Sequence, residues 1–410
     1  MLKDWIEVEL GDICDVVSGK NQKNVENPNG KYPIYGSGGI FGYADDYLCE
    51  VGTTIIGRKG TINSPIYVNQ KFWNVDTAFG ISPLNNIDSK YIHYLCVGFD
   101  FKKLDKSTTI PSLAKRDIVK IKFPLAPLSE QRAIAAKIEQ LFSELDNGIA
   151  NLKAAKSKLE IYRFCVLNLA IVNSHLQKIA NVVDGLSQGW SPKCREESSK
   201  DINEWAVIKT SAIQSGNFIE EENKILPDNL TPREQHEIKV DDILITRAGP
   251  RVRVGICCLV RKTRPKLINC DKVYRLRVKN KIILPTYFEY LMNSLTYIHK
   301  IEEIKTGGND SGLNLTQVRY LNIEIPVPSL AEQNQIVQEI ETRLSVCDKL
   351  NEAIEQSLEK AQALRQSILK KAFEGKLLSQ DEIQTCRQQP DWEPAAKLLE
   401  RVKKDSKPKK

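Results

Sequence analysis

The sequence has no CxxC pair, only four histidines, and no apolar stretch approaching the roughly 20 residues that a membrane-spanning helix requires. Its ten cysteines are scattered, and the vicinal Cys257–Cys258 has no histidine nearby. Zinc sites draw paired ligands from one tight turn, so this spacing excludes them and predicts buried, reduced thiols. His93, His175, His236 and His299 are isolated from one another and from any ligand-spaced partner. No G-x-x-x-x-G-K-[ST], no G-x-S-x-G, and no Asn-Pro-Pro or Asp-Pro-Pro aromatic tetrapeptide occurs. Lacking a nucleophile, a metal cluster and a phosphate loop, the chain reads as non-catalytic, with no metal site. The opening "MLKDWIEVEL" has no apolar run of a secretory signal, and the expected location is the cytoplasm.

Acidic residues are absent from two particular stretches. From Ile243 to Cys270 the chain holds Arg247, Arg251, Arg253, Arg261, Lys262, Arg264 and Lys266 with no acid. Val51 to Val75 holds Arg58, Lys59 and Lys71, again with none. Global charge says less. The net +7 includes +4 from the closing "KKDSKPKK", leaving +3 for the other 402 residues. Locally basic, Gly-punctuated β segments suit phosphate clamping and guanine-edge reading; a solvated basic face is the alternative.

What the chain does have is a repeat. "PLSEQRAIAAKIEQLFSELD" (127–146) returns as "SLAEQNQIVQEIETRLSVCD" (329–348). An offset of 202 superposes Glu130-Gln131 on Glu332-Gln333, Ile138 on Ile340, Asp146 on Asp348 and Arg163 on Arg365. Pro127 and Pro328 end the preceding extended segments, Ser129 is the expected N-cap of the first copy, and no proline follows for about sixty residues. Heptads run through both copies: Ile134, Leu141, Gly148, Ala155, Tyr162 and Leu169 beside Ile138, Leu145, Leu152, Leu159 and Val166 in the first, with Ile336, Leu350 and Leu364 beside Ile340, Cys347, Ile354 and Ile368 in the second. The spacing predicts two long helices that hide their apolar stripes against each other, a rod of roughly 60–70 Å. Helices packed separately on their own domains are the alternative.

The material before each helix is doubled too. "VGTTIIGRKG" (51–60) matches "VDDILITRAG" (240–249), pairing Arg58 with Arg247. "SKYIHYLC" (89–96) matches "PTYFEYLM" (285–292), and "DVVSG" (15–19) is set against "NVVDG" (181–185). The chain is therefore two tandem α+β units. Parts kept alike suit two identical partners; parts that diverge on one frame suit two different targets. Further candidate contacts lie in the glycine- and tyrosine-rich "GKYPIYGSGGIFGYADDY" (30–47) and in the polar loops "DKSTTIPS" (105–112) and "KTGGNDSGLN" (305–314).

The doubled proline–Glu-Gln–helix pattern, closing with "LRQSILKKAFEGKL" (364–377), resembles the DNA-specificity (S) subunits of type I restriction-modification systems. A coiled-coil adaptor with protein-binding heads is the alternative. The resemblance implies two target-recognition domains (1–125 and 176–327) separated by two antiparallel conserved helices (126–175 and 328–378), a pseudo-twofold repeat, with 379–410 a polar basic tail. Each domain would read one half of a split site in double-stranded DNA. Two modification (methyltransferase) subunits and restriction subunits would supply the chemistry, with S-adenosylmethionine, ATP and Mg held on those partners and no cofactor here. The candidate DNA contacts are Lys20, Tyr35, Ser37, Arg58, Lys59, Lys106 and Thr108 in the first domain. In the second they are Lys193, Arg247, Arg251, Arg253, Lys305 and Asn309. The Glu374-Gly375-Lys376-Leu377 ending has no counterpart after the first helix, where "NLAIVNSHLQKIANVV" stands instead.

Overall fold

The computed structural model describes residues 3–107 and 109–405. The chain divides into two compact units, one of residues 1–152 and 356–410, the other of residues 153–355. The two long helices, Leu128–Leu167 and Leu330–Phe373, each contribute to both units.

The units share one plan. In the first, strands Cys14–Ser18, Ala78–Pro83, Thr53–Gly57 and Ile66–Val68 lie in that order in an antiparallel sheet; Thr53–Gly57, buried along its length, takes a central place. The second repeats the order with Val183–Gln188, Val273–Val278, Ile243–Thr246 and Cys257–Leu259. Each has a three-stranded sheet joined by one antiparallel and one parallel pairing: Tyr32–Gly36 lies between Gly39–Ala44 and Trp73–Asn74, and Ala206–Ile208 between Asn223–Ile225 and Leu267–Ile268. A short antiparallel pair leads into each long helix, Ile6–Glu9 with Lys122–Leu125 and Leu176–Lys178 with Glu324–Pro326.

This plan corrects one sequence alignment. Gly19 corresponds to Gly189, not Gly185. A Cβ at Gly19 would sit 1.8 Å from the Val75 carbonyl oxygen, and one at Gly189 would sit 1.9 Å from that of Asn269, so both sites admit only glycine. Gly185 instead lies in a bulge between Val183 and Leu186.

The repeated Glu-Gln has a structural cause. Gln131 is fully buried: its Oε1 accepts from the Asp88 amide at 2.9 Å and its Nε2 donates to the Ala126 carbonyl at 2.7 Å. Gln333, also fully buried, accepts from the Leu284 amide at 2.7 Å and donates to the Pro328 and Ile282 carbonyls at 2.9 and 3.0 Å. Asp88 and Leu284 are the N-caps of the equivalent helices Ser89–Gly98 and Pro285–Met292. Each glutamine thus ties the start of a short helix to the start of a long one. The tyrosine that follows each N-cap makes a second tie: Tyr91 Oη donates to the Pro124 carbonyl at 2.7 Å, and Tyr287 Oη to that of Ala170 at 2.7 Å.

Within each unit the long helices run antiparallel. In the second unit Lys156 meets Glu355 at 3.0 Å and Arg163 meets Asp348 at 2.5 Å; in the first, Arg365 pairs with Asp146. The repeat offset carries Asp146 to Asp348 and Arg163 to Arg365, so the last two ion pairs are one interaction occurring twice. Only one heptad column is hidden throughout. Ile138 and Val166 are buried, with Leu145, Leu152 and Leu159 half-buried; Ile340, Cys347, Ala361 and Ile368 are buried in the second helix. The other column surfaces after its first turns, leaving Gly148, Ala155, Tyr162 and Leu169 exposed, and Leu350 and Leu364 likewise. Two helices have one seam, and a 3.6-residue turn drifts off a seven-residue repeat.

One expectation about the helix ends is overturned. Ser129 is not the N-cap: the helix begins at Leu128, the Gln131 amide donates to the Pro127 carbonyl at 2.9 Å, and Ser129 Oγ donates to the Cys386 carbonyl at 3.1 Å. In the second copy Ser329 does cap, exchanging hydrogen bonds with Glu332. Residues 379–405, expected as a polar basic tail, are folded. They form helices Gln380–Arg387 and Ala395–Asp405, which bury Ile383, Cys386, Ala395, Leu398 and Val402. Arg132–Asp391, Lys137–Glu382 and Arg387–Asp4 ion pairs surround them. The apolar i, i+3, i+7 spacing of Ala395, Leu398 and Val402 carries this packing beneath a basic surface.

All ten cysteines are free thiols and eight are buried. Burial pushes the Cys49 and Cys96 thiols up to about 12, so neither ionises at neutral pH.

Candidate nucleic-acid interface

Arg58 and Arg247 leave the ends of equivalent strands in the same frame. The Arg58 amide donates to the Thr77 carbonyl at 2.8 Å, and its carbonyl accepts from Leu113 at 2.9 Å; the Arg247 amide donates to Lys272 at 2.8 Å, and its carbonyl accepts from Leu315 at 2.7 Å. One guanidinium nitrogen of each is held by a neighbouring carbonyl, Asp76 for Arg58 at 3.3 Å and Asp271 for Arg247 at 3.1 Å. Both guanidinium groups lie over aromatic rings, Phe79 at 5.8 Å and Tyr274 at 5.6 Å. Neither meets a carboxylate among the described residues, which leaves both net charges available.

Loops converge around each arginine. In the first unit the Gly60 amide donates to the Pro111 carbonyl at 3.0 Å, bringing the 57–61 turn against the 105–112 loop, where Lys59 bridges to Ser112. Asp105 shapes that loop by accepting from Ser107 Oγ at 2.6 Å and from the Ser112 amide at 3.0 Å; the Ser107 hydroxyl is the main cause holding its carboxyl below the usual range. A Cβ at Gly57 would come 3.1 Å from that of Ser37, so the 36–39 hairpin tip abuts the same turn. Lys20 joins through its amide, which donates to the Asn74 carbonyl at 2.9 Å. Lys20, Ser37, Arg58 and Lys59 therefore share one end of the unit.

One candidate falls elsewhere. Tyr35 is half-buried, edge-on to Phe72 at 5.3 Å, and belongs to the core. Lys106 is mostly exposed with Asp117 at 3.5 Å, and Thr108 lies outside the described residues. In the second unit Lys193 and Asn309 are exposed.

Three of the predicted contacts there are engaged within the unit. Arg251 is bound by Glu302 and, at 2.9 Å, by Asp310. Arg253 donates to the Thr210 and Ile213 carbonyls at 2.5 and 2.8 Å. The Lys305 side chain is 7% exposed and donates to Glu302 at 2.5 Å and to the Arg251 carbonyl at 2.9 Å. Arg261 likewise pairs with the fully buried Glu289. The stretch 243–270 is acid-free in sequence, but in space carboxylates from residues 289, 302 and 310 pair with two of its cations, Arg261 and Arg251.

One candidate was missed. Lys272 is exposed and supplies the carbonyl that positions Arg247. It belongs to a doubled motif, Asn74-Val75-Asp76-Thr77 and Asn269-Cys270-Asp271-Lys272, whose signal is present in the sequence. Both asparagines are buried, donating through Nδ2 to the Ala78 and Val273 carbonyls, and the Asp76 and Asp271 carbonyls hold the two arginines. Among the described residues no group of three or more His, Cys, Asp or Glu is arranged to hold a metal ion, and no helix is long and apolar enough to cross a membrane.

The comparisons agree with this doubled architecture. The EcoDI specificity subunit of Escherichia coli is 24% identical over 98% of this chain and 95% of its own length. The EcoEI specificity subunit of Escherichia coli is 37% identical over a shorter region, 43% of this chain and 30% of that one. A chain solved in work on the assembly and conformational transition of the type I restriction-modification system superposes with a TM-score of 0.70 at 19% identity, covering 92% of this chain and 99% of that one. The HsdS subunit of Thermoanaerobacter tengcongensis gives 0.59 at 18% identity, covering 92% and 98%, and these two likenesses speak to the fold alone. The sequence profile of the type I restriction modification DNA specificity domain matches twice, over residues 2–154 and 189–360, so the chain belongs to the family of type I restriction-modification DNA specificity subunits.

Proposed function

We propose that each unit reads one half of a two-part duplex DNA target through the loops around its matched arginine, Arg58 in one and Arg247 in the other. The observation that carries this is the identical backbone frame of the two arginines, set among loops that differ in length and sequence. A shared frame with unlike surroundings suits one task performed on two unlike half-sites. Lys20, Ser37 and Lys59, and in the second unit Lys193, Lys272 and Asn309, would flank these arginines along phosphate or base edges.

The long helices would dock two copies of a modification subunit. Tyr162 and Leu364, equivalent under the repeat, are 44% and 50% exposed, apolar surface that the two-helix seam leaves bare. Methylation, using S-adenosylmethionine, and ATP-dependent cleavage would belong to the modification and restriction partners, acting in the cytoplasm. Mapping methylated adenines in cells that carry Arg247→Ala or Arg58→Ala tests the reading. Each variant should lose selectivity in a different half of the site, with about 1–3 kcal/mol of discrimination at stake for one base contact. Equal losses in both halves from either variant would refute it.

A further inference from the structure

Val252 is 81% exposed, more than any other large apolar side chain among the described residues. It lies midway along a turn, Pro250–Val254, in which every neighbour is tied inward. Arg251 is held by Glu302 and Asp310 on one side, and Arg253 by the Thr210 and Ile213 carbonyls and Gln214 on the other. The backbone is tied as well. The Arg251 amide donates to the Asp310 carbonyl at 2.7 Å, the Arg251 carbonyl accepts from Lys305 Nζ at 2.9 Å, and the Arg253 carbonyl accepts from Thr246 Oγ1. Val254 is buried, and Gly255, at φ +91°, turns the chain back into the sheet.

Such bracing fixes an isopropyl group in water. The turn follows directly on Arg247-Ala248-Gly249, with Ala248 and Gly249 paired to Asn314 and Leu313, so it stands at the reading end of the second unit. The corresponding connection of the first unit, from Arg58 to strand Ile66–Val68, is shorter; its Ile62 is buried, as Val254 is, and its exposed residues Lys59, Gly60, Thr61, Asn63 and Ser64 include no large apolar side chain. The tip is therefore private to one unit, as a determinant of one half-site has to be.

Resting on the DNA-reading function proposed above, we infer that Val252 is a specificity determinant that packs against the C5-methyl group of a thymine in the major groove. The flanking guanidinium groups are engaged by their own carboxylates and carbonyls, so the Val252 side chain is the most exposed part of the tip and offers apolar surface. Thymine is the only base whose major-groove edge presents a methyl. The side chain is also short; side chains that wedge between base steps, such as Phe, Leu, Ile and Met, are larger.

The full chain, co-expressed with its modification subunits, is used to select from two randomised duplex pools, one containing thymine and the other uracil in its place. For the wild type, one position of the second half-site should favour thymine, and its enrichment should fall about four-fold in the uracil pool, the worth of one buried methyl-sized group. Val252→Ala should abolish that difference while leaving the first half-site and the other positions of the second unchanged. Selection in both halves with no sensitivity to uracil, or the same sensitivity in Val252→Ala, overturns the inference and leaves the DNA-reading function standing. Selection in neither half by the wild type overturns the DNA-reading function and the inference with it.

Discussion

The buried glutamines permit a quantitative test of why Glu-Gln occurs twice. Replacing Gln333 by leucine preserves volume but strands three backbone groups: the Leu284 amide and the carbonyls of Ile282 and Pro328. A buried backbone group left unpaired costs about 1–3 kcal/mol, and the amide, with a single donor direction, is the least forgiving. The carbonyls recover part of their loss through other partners, so the substitution should cost on the order of 3 kcal/mol. Gln131→Leu strands only the Asp88 amide and the Ala126 carbonyl and should cost about 2 kcal/mol. The loss is local, because each glutamine serves one unit. Native-state hydrogen exchange read by mass spectrometry resolves it: Gln333→Leu should speed exchange about a hundred-fold in peptides covering 284–292 and leave 88–98 unchanged, with the reverse pattern for Gln131→Leu. Protection unchanged in both variants would mean that water satisfies these groups and that the repeated motif is not explained by its hydrogen bonds. Equal loss in both units from either variant would show that the effect is not local.

Two further outcomes follow from the same geometry. Lys59 is exposed at the end proposed to read DNA and Lys305 is internally paired, so Lys59→Ala should reduce the salt slope of DNA binding by about 1, whereas Lys305→Met should leave the slope unchanged and lower the stability of the 302–310 segment; binding measured against a salt titration separates them. Leu398 is fully buried, so Leu398→Ala should destabilise the first unit by about 2–5 kcal/mol in chemical denaturation, where a solvated tail would give no change.

What was legible in the sequence was whatever depends on spacing along one segment. The long helices, the matched Arg58 and Arg247 and the matched Tyr91 and Tyr287 all sit in runs whose periodicity survives inside a single element. Where sequence and structure differ, a frequent cause is that sequence distance conceals spatial neighbours. Arg251 and Arg253 look like free charge in the sequence because Glu302, Asp310 and the Thr210 carbonyl are remote from them along the chain, whereas Lys305 has its partner Glu302 only three residues away. Ser129 looked like a cap because the segment that claims its hydroxyl, at Cys386, comes from the far end of the sequence. The alignment of Gly19 with Gly185 failed because a bulge displaces the glycine whose missing side chain admits a backbone carbonyl.

The place where the repeat breaks also has a physical reading. Glu130 and Glu332 are equivalent by sequence, yet Glu130 is buried and accepts from Trp5 Nε1 at 2.7 Å, whereas Glu332 is exposed and completes a capping box with Ser329. Around Glu130 the residues Leu128, Ser129, Ile134 and Ala135 are buried too, while their equivalents Leu330, Ala331, Ile336 and Val337 are exposed or half-buried. The difference comes from what each unit has available. The first gathers both chain ends, and its C-terminal helices are knitted to the N-terminal segment by the Ala395 amide to the Asp4 carbonyl at 3.0 Å and by Arg387 to Asp4. The second receives an uninterrupted chain from the first long helix and has no such cover. A carboxylate can be buried only where a donor meets it, so Trp5 is the condition for burying Glu130. The glutamine beside it needs no such help, because its partners belong to the repeated frame itself. That is why Gln131 and Gln333 keep the same role in both units while the glutamates next to them do not.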